Sequence, residues 1–181
     1  ARPSDSDISD AVKALRAAKR PLLWAGQGVL LGGATGELKQ LAELTGIPVF
    51  CTMPGKSAMD ERHPLCLGAG SGLTTMAAGK WLSECDLILA LGSSLTRTFY
   101  GQPIRSNNKV LIQNTDDVSA ISRDESVDIA LLGDTRLTLL ALIDAIKDET
   151  DGSGFGDVKS TAKLIAEIKA DWLKQWQPLL T

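Results

Sequence analysis

Short apolar runs alternate along the chain with longer stretches in which apolar residues recur every three or four positions. Pro21–Ala25 (PLLWA), Ile47–Cys51 (IPVFC), Leu65–Gly68 (LCLG), Asp86–Gly92 (DLILALG), Lys109–Asn114 (KVLIQN) and Val127–Leu132 (VDIALL) are of strand length. Asp86–Gly92 is nearly all apolar, which predicts a strand covered on both faces. Between the runs the period lengthens. A cap at Ser6 or Asp7 predicts a helix carrying Ile8, Ala11, Val12 and Leu15 at i, i+3, i+4 and i+7. Ala34–Thr45 places Leu38, Leu41 and Ala42 on one helical face. Thr74 or Thr75 opens a helix with Met76, Ala77, Trp81 and Leu82, and Asp134 caps another over Thr135–Lys147 that buries Leu139, Leu140, Ile143 and Ile146. Val158–Gln177 carries Leu164, Ile165, Ile168, Trp172 and Trp176 on one stripe, with no evident partner among the other elements.

Strands alternating with helices predict an α/β fold: a doubly wound, Rossmann-like, mostly parallel sheet of about six strands, with an extra C-terminal helix. Asp148–Asp157 (DETDGSGFGD) has linker composition. The chain therefore divides into a domain over 1–148, a linker over 149–157 and a connecting helix over 158–181. At 181 residues it is long enough for one full core. Its net charge of −3 and lack of a basic block argue against nucleic acid or an anionic membrane as partner. Its three cysteines, Cys51, Cys66 and Cys85, are odd in number and never spaced C-x-x-C. With neither a membrane span nor a signal peptide in view, that usage points to buried thiols, a reducing compartment and a cytoplasmic setting.

The chemistry concentrates at strand ends. After Ala25 come Gly26, Gly28, Gly32 and Gly33, a G-x-G-x-x-x-G-G spacing one residue longer than the dinucleotide fingerprint. A strand feeding a helix through glycines leaves backbone N–H groups that suit a phosphate. The acidic residue that NAD's ribose needs about 20 positions on is missing, because the next strand ends Phe50-Cys51-Thr52-Met53. Gly70-Ser71-Gly72 is a second glycine turn, and Ser93-Ser94-Leu95-Thr96-Arg97-Thr98 and Asn114-Thr115-Asp116-Asp117 are polar strand ends at the same carboxyl edge. A catalytic constellation is absent. The single histidine is His63, no G-x-S-x-G elbow exists, and Asp60-Glu61 reads as a solvated loop rather than an acid/base pair. No catalytic and no metal-binding residue is assigned.

Several segments in this order resemble one family, the central domain of thiamine-diphosphate-dependent enzymes of the acetolactate synthase, 2-keto-acid decarboxylase and oxalyl-CoA decarboxylase type. They are Ala18-Lys19-Arg20-Pro21, Ala25-Gly26-Gln27-Gly28, Leu41 to Val49 (LAELTGIPV), Thr52 to Ala58 (TMPGKSA), Asp60 to Leu65 (DERHPL), Asp86 to Leu95 (DLILALGSSL) and Val127 to Asp134 (VDIALLGD). The resemblance spans Ile8 to Lys147 and implies one third of a longer polypeptide. In the family an N-terminal domain carries the glutamate that activates the cofactor, and a C-terminal domain holds its diphosphate through magnesium in a G-D-G…N motif. Neither is present, since Gly133-Asp134 and Gly156-Asp157 continue with Thr135 and Val158. The implied activity is that of a lyase or carboligase acting on 2-keto acids or related acyl compounds. This chain would not catalyse it alone, nor bind thiamine diphosphate. The implied partners are flanking domains of the same polypeptide, within a homo-oligomer.

Some family members bind FAD in the central domain, some ADP, and some nothing. The matching positions here are Gly26, Gly28, Lys56, Gly92, Ser93, Arg97, Asn114 and Asp116. The synthase pattern G-x-R-F-D-D-R appears as Gly92-Ser93-Ser94-Leu95-Thr96-Arg97-Thr98, and D-I-D as Asn114-Thr115-Asp116. These departures favour an ADP-type or empty crevice over FAD. The alternatives are a free-standing FAD or adenine-nucleotide module of the electron-transfer-flavoprotein sort and a sirtuin-like deacylase. The latter would need a catalytic histidine and, usually, a four-cysteine zinc ribbon.

Overall fold

The computed structural model describes residues 1–70, 74–97 and 108–180. In chain order the elements are α1 (Asp5–Ala17), β1 (Pro21–Ala25), α2 (Gln27–Leu31), α3 (Thr35–Thr45), β2 (Val49–Thr52), β3 (Cys66–Gly70), α4 (Met76–Glu84), β4 (Leu87–Leu91), β5 (Val110–Thr115), a 3₁₀ turn (Val118–Ala120), β6 (Ile129–Leu132), α5 (Thr135–Glu149) and α6 (Val158–Leu180). The strands form one sheet in the order β3-β2-β1-β4-β5-β6, and every described pairing is parallel. None of the described helices is long and apolar enough to cross a membrane. Ser71, Gly72 and Thr98, named above in the polar loops, lie outside the described residues.

Strand alternation builds two cores. Leu23 and Ala25 of β1 and Leu87, Leu89 and Leu91 of β4 face one side, packed under α1, α3 and α5. Leu22, Trp24, Phe50, Ile88 and Ala90 face the other, under α4 and α6. Each large apolar side chain removed from water on these faces contributes about 1.5–3 kcal/mol. At the centre of the sheet Leu23 pairs with both Val49 and Leu89.

Local chemistry sets the boundaries. Helix α1 starts earlier than Ser6, because Ser4 is extended and its Oγ accepts from the Asp7 N–H at 3.2 Å. Thr75 and Asp134 cap α4 and α5 in the same way, through Ala78 and Leu137. The glycine-rich stretch after β1 is more than a turn. Gln27–Leu31 closes one helical turn of its own, ended by Gly32 and Gly33 before α3 begins.

The segment 150–157 is less free than its linker composition suggests. Phe155 packs on the first core. The backbone of Gly156 lies so close to the end of α3 that a Cβ there would fall 1.6 Å from the Thr45 carbonyl oxygen. The α6 stripe divides. Ile165 and Ile168 are buried in the second core and Leu164 packs beside them, whereas Trp172 and Trp176 are 39% and 42% exposed.

That division has a measurable consequence. Ile168→Ala should cost about 2–4 kcal/mol by urea unfolding followed with circular dichroism. Trp176→Ala should stay within about 0.5 kcal/mol of the parent.

Candidate functional site

Helix α3 returns from β1 on one face of the sheet and α4 enters β4 from the other, so the topological switch point lies between β1 and β4. In open α/β sheets the ligand crevice lies outside the strand carboxyl ends at this point. Gly26, Gly28, Gly92 and Ser93 meet there. They meet one another directly. The Gly26 N–H donates to the Leu91 carbonyl and the Gly28 N–H to the Gly92 carbonyl, both at 2.9 Å. A Cβ on Gly28 would fall 2.6 Å from the Gly92 Cα, so the two backbones touch. Gly92 itself is left-handed, at φ 56°.

Asn114 extends this contact across the sheet and is 0% exposed. Its Oδ1 accepts from the Gly92 N–H at 3.2 Å. Its Nδ2 lies 3.0 Å from each of three acceptors, the Leu131 and Gly133 carbonyls and Thr138 Oγ1. The neighbouring Gln113, buried like it, donates through Nε2 to the Ser93 and Ala120 carbonyls at 3.1 and 3.2 Å. One side-chain amide thus ties β4 to β6, and the next ties the β4 loop to the 3₁₀ turn. A buried polar group left unpaired would cost about 1–3 kcal/mol, which is why both amides are spent on backbone.

Arg97 is similarly committed. Its backbone N–H donates to Asp124 Oδ2 at 2.9 Å, and its Nε donates to Glu125 Oε1 at 2.8 Å. Glu125 is nearly buried while Arg97 is mostly exposed, and the carboxylate raises the Arg97 pKa. Arg123 adds a hydrogen bond to Thr96 Oγ1. Leu95, left-handed at φ 52°, fills the second core, so the loop after β4 is anchored from below as well. Lys56 is carried toward the end of β1 by Gly55, whose backbone lies against Ala25 and Gly26, and its Nζ is 3.6 Å from Glu61. Asp116 is exposed just past β5. Of the predicted positions, Lys56 and Asp116 project as exposed charges, and Asn114 is the most enclosed.

Reactive groups are scarce. Arg62 binds both carboxylate oxygens of Asp60 and draws its pKa down to about 2. His63 shares a 3.1 Å hydrogen bond with Glu43 and accepts from the Leu65 N–H through Nδ1, which ties the loop to α3. All three thiols are buried and shifted up, Cys51 to about 12, chiefly by desolvation. Among the described residues no group of three or more His, Cys, Asp or Glu converges on a metal-sized site. Gln113 and Glu125 escape the sequence reading. The only signal for Gln113 is a polar pair ending an apolar strand, and Glu125 has none.

Two substitutions at glycine and one at cysteine check this geometry. Gly28→Ala should destabilise by about 2 kcal/mol or more, since its methyl meets backbone rather than a yielding side chain. Gly36→Ala, in α3 with nothing within 4 Å of the new Cβ, should instead gain about 0.5 kcal/mol. Cys51 is neutral in the folded state up to about pH 12, while the unfolded thiol ionises near 9.0. Stability present below the lower value should therefore fall between the two by up to about 1.4 kcal/mol per pH unit. Cys51→Ala should flatten that part of an alkaline denaturation profile.

Comparison with known proteins agrees with the fold. The family model described as the thiamine pyrophosphate enzyme central domain matches residues 8–142. A probable acetolactate synthase large subunit from Methanococcus aeolicus is 38% identical over 138 residues, covering 75% of this chain and 23% of its own length. A 3D-(3,5/4)-trihydroxycyclohexane-1,2-dione hydrolase from Bacillus cereus is 33% identical over 148 residues, again over 23% of its length. The crystal structure of benzoylformate decarboxylase from Polynucleobacter necessarius superposes with a TM-score of 0.70 at 21% identity, over 88% of this chain and 29% of that one. The matched stretch thus spans about a quarter of the length of these curated relatives. The chain belongs to the thiamine pyrophosphate (thiamine diphosphate) enzyme family, as the central domain.

Proposed function

We propose that this chain is the structural central domain of a longer thiamine-diphosphate-dependent lyase or carboligase acting on 2-keto acids or related acyl compounds. In this reading catalysis belongs to flanking domains of the same polypeptide, and the full-length enzyme is a cytoplasmic homo-oligomer. The central domain sets the spacing of its neighbours through a rigid three-layer body. In this reading thiamine diphosphate and its magnesium are held by the flanking domains, which accords with the dispersed carboxylates among the described residues.

Of the two occupancies that the sequence favours, ADP-type and empty, we favour empty. One observation carries this: the Gly26 and Gly28 N–H groups, which a phosphate would need, donate to Leu91 and Gly92. The glycines serve close backbone approach, the other use to which glycine is suited. Asn114 offers no free polar atom to a ribose, and Arg97 would have to leave a nearly buried carboxylate to reach a phosphate. The flavoprotein alternative needs the same N–H groups and is disfavoured on the same ground.

Calorimetric titration of the purified chain with ADP, FAD and NAD tests the reading. No saturable heat is expected with any of the three below about 1 mM, a concentration equivalent to roughly 4 kcal/mol of binding free energy. A saturable ADP isotherm that Lys56→Ala weakens would overturn the empty crevice and restore the phosphate reading.

A further inference from the structure

The edge opposite the crevice holds an open cavity of about 340 Å³. It lies at the amino ends of β1 and β2, between the ends of α1 and α3 and the start of α6. Its volume falls within the range of sites for small organic ligands. The wall has two characters. Phe155 and Leu164 supply apolar surface, and Lys19, Arg20, Ser160 and Thr161 supply polar groups.

Arg20 is held in place but incompletely satisfied. Its guanidinium lies 4.1 Å over the Trp81 ring, and that indole is fixed by donating Nε1–H to the Pro21 carbonyl at 3.1 Å. Its Nη2 is 2.9 Å from Glu84 Oε2, close enough for an ion pair, and both Nη2 and Nε are closed off from solvent without an aligned hydrogen-bond acceptor, which leaves Nη1 as the guanidinium nitrogen open to a ligand. The side chain remains 27% exposed at the cavity. The neighbouring acids are already engaged. Asp86 accepts from the backbone N–H groups of Lys19 and Arg20, and Asp157 accepts from the Ser160 N–H as it caps α6. The Lys19 side chain is exposed, and its ammonium forms no ion pair among the described residues.

We propose that this cavity binds a small organic monocarboxylate with an apolar body. The carboxylate would lie between Arg20, Lys19 and the hydroxyls of Ser160 and Thr161, and the apolar body would cover Phe155 and Leu164. A rigid planar guanidinium suits a carboxylate better than a mobile ammonium alone does. Such a ligand would join the start of α6 to the amino ends of the strands. It would act on the opposite edge of the sheet from the crevice, so its binding is independent of nucleotide occupancy.

The test is a ¹H–¹⁵N NMR titration of the 181-residue chain with isovalerate and phenylacetate, and with their neutral amides. The Trp81 indole N–H, assigned through Trp81→Phe, and the Ser160 and Thr161 amides should shift saturably with the acids. The amides should bind at least about tenfold more weakly. Lys19→Gln, an exposed change that leaves the thermal midpoint in place, should weaken the acids several-fold. Absence of saturation up to about 20 mM, equal binding of acids and amides, or indifference to Lys19→Gln would each overturn the proposal.

Discussion

The contact between Gly28 and Gly92, held from behind by the Asn114 amide, is the constraint on which the carboxyl edge depends. It is a contact of backbone with backbone at the switch point between β1 and β4. The Gly28 N–H goes to the Gly92 carbonyl, the Gly92 N–H to Asn114 Oδ1, and Asn114 Nδ2 to the end of β6 and to α5. Side chains of ordinary size at 28 or 92 would push the strands apart. An apolar residue at 114 would strand the Gly92 N–H and two carbonyls in a dry interior, and such unmet groups are more costly than the bonds are favourable.

This geometry shows why a glycine motif underdetermines its function. Glycines after a strand permit close approach, and the approaching group can be a ligand or another stretch of the same chain. What separates the cases is the destination of the N–H groups, and here a neighbouring strand takes them. Arg97 follows the same logic. A guanidinium at the rim of a crevice invites an anion, but this one neutralises Glu125, a carboxylate with little access to water. Moving the arginine to a ligand would leave that carboxylate unpaired, so the loop after β4 is better understood as a latch than as a clamp.

Much of the fold is legible in the sequence because it rests on periodicity and short-range chemistry. The run LILAL can be covered only on both faces, and Asp134 caps α5 by the rule that places an acceptor before a helix. Other features depend on distant partners and leave no local trace. Gln27–Leu31 has two leucines and a valine but no amphipathic repeat, and its single turn forms because Gly26 and Gly28 are pinned to β4. Glu125 lies in a polar segment, and only the fold brings Arg97 to it. The glycines of 150–157 have linker composition, yet Gly156 is there because the end of α3 leaves no room for a side chain.

Helix α6 shows the limit of periodicity most clearly. Its apolar stripe is regular, but the two halves meet different surroundings. The first core is roofed by three helices, whereas among the described residues α4 covers the second face with a gap beside it. The first turns of α6 fill that gap with Ile165 and Ile168, and Lys169 reaches the Cys66 carbonyl at 2.8 Å. Lys169 is thus already at β3, the edge strand of the sheet, while α6 continues to Leu180. The helix outruns the sheet it covers. The pattern that buries Ile168 therefore leaves Trp172 and Trp176, past that edge, 39% and 42% exposed.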